Sequence, residues 1–150
     1  MALVELKAMT LAEALADVLG LVLAMDLDDS RRNDGSEIVF NGRVRSTEHG
    51  EPILALEYEH YEGMAETELN RLAEKTVSKF SIHDLFCRHR VGKIGIGEIS
   101  LHVVIWSKHR KEGLSAMTWF IAELKKHIPI WKWALLTTGE RVPSECVHSE

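Results

Sequence analysis

The chain has 150 residues, 18 basic and 23 acidic, for a formal net charge of −5, with 45% hydrophobic and 27% charged side chains. That is the composition of an ordinary globular domain, and a chain of this length buries roughly two-thirds of its unfolded surface, so one domain with a core is expected. With 3 prolines and 10 glycines, collagen-like and low-complexity chains are excluded.

Thr10 to Leu23 has a helical pattern: Thr10 and Glu13 form a capping box, and Leu11, Leu15, Val18, Leu19 and Val22 recur at helical spacing. The apolar stretch containing it, Leu11 to Met25, is broken by Glu13 and Asp17 and falls short of the ~20 apolar residues a membrane span needs. It lacks a basic leader region and a cleavage site, which points to a cytoplasmic protein. Asp26 to Ser36 is polar and reads as a loop. Glu37 to Arg45 reads as a strand, followed by a turn around residues 48–52. In Ile53 to His60 the alternation places Leu54, Leu56, Tyr58 and His60 on one face and Glu57 and Glu59 on the other.

Ala65 to Phe80 reads as a helix with Leu69, Leu72, Ala73, Thr76 and Phe80 on one stripe. Leu85 to Val91 and Ile99 to Trp106 read as strands, with VGKIGIGE as a turn between them. The second strand is apolar at nearly every position, as expected at the centre of a sheet. Gly113 to His127 is a helix whose expected core face is Leu114, Met117, Phe120, Ile121 and Leu124, and Pro129 ends it. Lys132 to Leu136 is a short strand, and the tail, residues 142–150 above all, is expected to be weakly ordered. The sum is a single α+β domain, a sandwich of packed helices on a mainly antiparallel sheet.

The net charge conceals a division. Residues 1–87 sum to −9 and residues 88–132 to +6. A cationic segment in an acidic chain points to a local anion site rather than to a surface for bulk nucleic acid. Basic side chains cluster at Arg43 and Arg45, at Arg88, His89 and Arg90, at Lys108 to Lys111, and at Lys125 and Lys132. Arg forks and Lys point charges suit a phosphate. Taken singly, such residues are ordinary solvated charges at strand ends and in last helical turns. The 8 histidines show no HxxxH spacing, Cys87 and Cys146 form no close pair, and no metal site is expected. GxSxG, Walker and GxGxxG motifs are absent.

FNGRVR (residues 40–45), LEYEHYEGMAETEL (56–69), HRVGKIGIGE (89–98), SKHRKEGLSA (107–116) and LKKHIPIWK (124–132) follow one another in an order that resembles the MoaE family, the large catalytic subunit of molybdopterin synthase. The resemblance covers about residues 36–141, and the first 35 residues match weakly. It implies an α/β-hammerhead-like fold and a sulfurtransferase that converts cyclic pyranopterin monophosphate to molybdopterin. The sulfur would come from the C-terminal Gly-Gly thiocarboxylate of a small ubiquitin-like subunit. Large subunits would form the homodimer core of a heterotetramer, and the transfer itself would use no metal or cofactor.

Carried over by position, Arg43, Val44 and Arg45 resemble the substrate-binding strand end, and His109 and Arg110 the pair that meets the substrate, its phosphate above all. Lys125 and Lys132 resemble the two central catalytic lysines. Lys125 is assigned to sulfur addition and Lys132 to polarising the thiocarboxylate, on the argument that a lysine among cations loses proton affinity. Trp133 and Ala134 occupy substrate-lining positions where the family usually has another charged pair, and Val142 stands where a Trp is common. Two other classes are compatible with the basic clusters. A non-catalytic scaffold for a ubiquitin-like partner would tolerate loss of both lysines. A nucleotide- or nucleic-acid-binding module would show affinity falling steeply with salt.

Overall fold

The computed structural model describes residues 2–7 and 29–144. The helix expected over Thr10 to Leu23 and Cys146 lie outside the described residues. In chain order the elements are β1 (Ala2–Lys7), a 3-10 turn (Asp29–Asn33), β2 (Ser36–Arg43), β3 (Thr47–Glu48), β4 (Glu51–His60) and α1 (Met64–Phe80). Then come β5 (Asp84–Arg90), β6 (Gly92–Gly95), β7 (Ile99–Ser107), α2 (Arg110–His127), β8 (Ile130–Leu136) and β9 (Arg141–Pro143).

They build two sheets. The first has the order β1-β5-β7-β2, antiparallel except for the parallel β1–β5 pair. The second has the order β3-β4-β8-β9, with β6 also on β4, and every pair is antiparallel. The expected α+β class and mainly antiparallel pairing are therefore what the chain adopts. β7 is central and buried at all nine positions, as its unbroken apolar run requires. One face of that sheet, with Leu85, Cys87, Leu101, Val103 and Ile105, packs on α1 and α2 through Leu69, Ala73, Met117 and Phe120. A second core, Val44, Ile53, Leu56, Ile94 and Ala134, belongs to the other sheet. Burial pushes the Cys87 thiol up, so it is an inert core group.

Five expectations need correction. Leu54 is 50% exposed, because the β4–β8 register shifts between Ile53 and Ala55. Such a bulge reverses the phase of the alternation, so Ile53 and Ala55 turn inward instead. Leu114 is 52% exposed, and the buried face of α2 runs through Gly113, Ala116, Met117, Phe120 and Leu124. A Cβ at Gly113 would sit 2.7 Å from Ser107 Oγ and 2.8 Å from Ile38 Cδ1, so glycine lets the helix approach the sheet along that face. VGKIGIGE is more than a turn: it contains β6, whose Ile94 is buried. Within the loop read from Asp26 to Ser36, residues 29–33 form a 3-10 turn and Ser36 opens β2. In the tail, Arg141 to Pro143 pair with β8, and Ser144 is buried.

Candidate active site

The basic turn before α2 is fixed from below. Ser107, the buried last residue of β7, donates its hydroxyl to the His109 carbonyl at 2.7 Å and accepts the Gly35 N–H on its own carbonyl at 3.1 Å. A Cβ on Gly35 would lie 2.3 Å from the Lys108 carbonyl oxygen, so only glycine permits this approach. His109 is extended (φ −129°, ψ 151°) and no side chain caps the helix. The first turn of α2 lies at the positive end of the helix dipole, with no side-chain cap among the described residues. Around them is an open pocket of about 460 Å³ lined by Gly35, Ser36, Lys108, His109, Arg110 and Lys111. Among the described residues its lining includes Lys108, Arg110 and Lys111 and no acid, a composition that suits a phosphate.

A second cluster is built on β8. Its Lys132 stands opposite Tyr58 of β4 and donates from Nζ to Glu48 Oε1 at 2.6 Å. The same carboxylate oxygen accepts the Ser144 hydroxyl at 2.7 Å, and the Ser144 N–H donates to the Lys132 carbonyl at 2.8 Å. Arg45 and His49 each come within 3.9 Å of the Glu48 carboxylate. Burial works to raise the Glu48 pKa, but the hydrogen bonds from Lys132 and Ser144 and the charges of Lys132 and Arg45 outweigh it, so the carboxyl is held below its ordinary range. Behind Lys132, Tyr58 meets the His89 ring edge-on at 4.9 Å. His89 is buried and donates from Nδ1 to the Arg90 carbonyl at 2.7 Å. Burial, with a smaller contribution from His60, pushes its pKa down to about 4, so it is neutral near pH 7.

The remaining singled-out residues divide by location. Arg43 is exposed and donates to the Gly97 carbonyl at 2.7 Å. Val44 is 2% exposed, its N–H pairing with the Glu98 carbonyl and its carbonyl with the Gly97 N–H. Ala134 is buried in the same core. Both side chains are core groups and neither is presented at the surface. Trp133 lies on the strand face opposite Lys132, donating to Glu59 at 3.3 Å beneath the Arg141 guanidinium, which sits 4.1 Å above its ring. Lys125 is exposed in the last turn of α2.

The clusters do not all meet. Arg45 and Lys132 converge on Glu48, and Lys125 lies at the α2 end that leads into β8. Arg110, with His109 just before it, lies at the other end of α2, 15 residues before Lys125, which at 1.5 Å per residue is ~22 Å. The immediate charged neighbour of Lys132 is a carboxylate, which corrects the expected ring of cations around it. Glu48 and Ser144 were not anticipated: both lie far from Lys132 in sequence, and one acid beside a turn carries no local signal. No group of three or more metal-ligating side chains occurs among the described residues. None of the described helices is long and apolar enough to cross a membrane.

Fold and clusters together define an α+β domain that presents an open cationic pocket and a sheet-borne, ion-paired lysine. The MoaE protein family model matches residues 16–127, and the chain belongs to that family, whose work is molybdenum cofactor biosynthesis. The match begins at residue 16, earlier than the motifs that carry the resemblance, and stops before Lys132. The molybdopterin synthase catalytic subunit of Pyrococcus abyssi is 35% identical over 111 residues, covering 74% of this chain and 75% of the relative. That of Thermoplasma volcanium is 36% identical over 110 residues, covering 73% and 80%. Among solved structures, molybdopterin synthase from Staphylococcus aureus superposes with a TM-score of 0.70 at 29% identity, covering 75% of this chain and 81% of that one. A complex of subunits 1 and 2 of the molybdopterin-converting factor from Helicobacter pylori gives 0.69 at 25% identity, covering 97% and 91%.

Proposed function

We propose that this chain is the catalytic subunit of a molybdopterin synthase, moving sulfur from the thiocarboxylate of a small ubiquitin-like subunit onto cyclic pyranopterin monophosphate. The observation that carries this reading is the pairing of a cationic pocket at the start of α2, with no acid among its described lining residues, and an ion-paired lysine on β8. In it, Arg110 and His109 hold the substrate phosphate, helped by the first-turn N–H groups. Lys132 donates from Nζ to the acyl oxygen of the thiocarboxylate, drawing electron density from the carbon that must release sulfur. Lys125 serves proton transfer where sulfur adds to the pterin, and Arg43 and Arg45 supply positive charge at the rim. A Gly-Gly tail fits such a site because residues without side chains can thread a narrow passage. The reading places the reaction in the cytoplasm.

The ~22 Å between Arg110 and Lys125 exceeds the reach of one pterin phosphate, and in this reading a second copy of the chain supplies the other half of each site. A symmetric dimer carries two such composite sites, one small subunit serving each. Incubation of the purified chain with the precursor and a thiocarboxylated small subunit tests the reading, with molybdopterin read as its oxidised fluorescent derivative. Product formation supports it. Binding of the small subunit without product overturns it in favour of a scaffold.

A further inference from the structure

We propose that Glu48 is the positioning residue of this site: its carboxylate fixes the Lys132 ammonium and ties Ser144, which follows β9, to the same point. The inference rests on the proposed role of Lys132. It starts from a turn. His49 (φ 50°) and Gly50 (φ 81°) both take left-handed backbone between β3 and β4, and Glu48 pairs with Glu51 across them. A two-residue loop with positive φ at both positions matches the right-handed twist of a hairpin and sets the facing of its flanking residues. Thr47 therefore faces solvent while Glu48 is 7% exposed, with a carboxylate delivered beneath β8.

A lysine side chain is long and loses much rotamer freedom when held in one place. Here the 2.6 Å bond to Glu48 fixes its end, and Ser144 closes the arrangement with two bonds, one to Glu48 and one to the Lys132 backbone. Among the described residues, the charged and titratable groups at this point include Arg45 and His49 beside the carboxylate and Tyr58 opposite Lys132, with His89 in edge-on contact with Tyr58. The Glu48 carboxylate is the group that Lys132 and Ser144 share.

The test reads position directly and does not depend on turnover. In the 1H–15N spectrum of the intact chain, a lysine ammonium held in a buried hydrogen bond exchanges slowly enough to be seen, and loss of one signal in Lys132→Arg assigns it. The expected result is that this signal is present in the native chain, is retained in Glu48→Gln, which keeps an acceptor oxygen, and disappears in Glu48→Ala. Persistence of an unshifted signal in Glu48→Ala overturns the proposal. Should Glu48→Ala fail to fold, Glu48→Asp withdraws the carboxylate by one methylene, and an unshifted signal there overturns it equally. In the conversion assay Glu48→Ala is expected to lower kcat at least tenfold with KM for the pterin little changed, and Glu48→Gln to recover most of that loss. Failure of the native chain to form product counts against the functional reading, while the ammonium signal still decides the role of Glu48.

Discussion

Replacing Lys132 by Met keeps most of the side-chain volume and removes the charge, so it isolates the worth of the ion pair. The carboxylate it strands has 6% side-chain exposure and still accepts a bond from Ser144, with Arg45 nearby. Breaking a buried pair costs about 3–5 kcal/mol when the remaining charge is uncompensated. With Ser144 and Arg45 still in place, ~2 kcal/mol is expected, within the range for one charged hydrogen bond. In a domain of this size that lowers Tm by ~4–8 °C. The pH dependence follows from Glu48, whose folded pKa lies below the reference value of 4.5. Its stabilising contribution is present above that value and is lost as pH falls through the folded pKa. In Lys132→Met both the hydrogen bond and the charge by which Lys132 lowers this pKa are gone, and burial then favours the protonated acid. The Tm deficit should therefore be greatest near pH 7.5 and narrow toward pH 4.5. Thermal melts of both proteins at the two pH values measure it, and a deficit that is absent, or equal at both, would refute the reasoning.

Gly35→Ala should displace the Lys108 carbonyl and with it the basic turn, weakening phosphate-ester binding by calorimetry more than it lowers Tm; unchanged affinity would contradict the close approach seen here. His89 is neutral and buried, with a pKa of about 4 against an ordinary 6.5. A depressed histidine pKa adds stability that is complete above about pH 6.5 and is lost as pH falls toward 4, up to ~3 kcal/mol at 1.36 kcal/mol per unit. In His89→Asn, urea melts should show that acid-side slope flattened, and an unaltered slope would assign it to other groups.

Periodicity revealed the elements whose burial follows a regular repeat. α1 spans Met64 to Phe80 and buries Leu69, Leu72, Ala73 and Thr76 as its stripe requires, and the all-apolar β7 is central. Local pattern failed where a long-range contact decides. The bulge in β4 that exposes Leu54 depends on pairing with β8, and the rotated face of α2 depends on Gly113 meeting Ser107 and Ile38. β9 is only three residues long and exists through its ladder to β8. The cationic clusters were legible as charge, because Arg and Lys recur in one segment of an acidic chain. Their separation was not, since it depends on the full length of α2. Nor was Glu48 legible, since its role arises from a hairpin that turns it toward a lysine 84 positions away.

In the proposed synthase the site takes its phosphate pocket from one chain and its lysines from another. Arg110→Ala and Lys132→Ala, each inactive alone, should regain activity when the two proteins are unfolded together, refolded and supplied with precursor and thiocarboxylated small subunit. Random pairing makes half the dimers mixed, each with one of its two sites intact, so about a quarter of native activity is the expected yield. A mixture as inactive as either variant, beside a native chain that forms molybdopterin, would contradict the composite site.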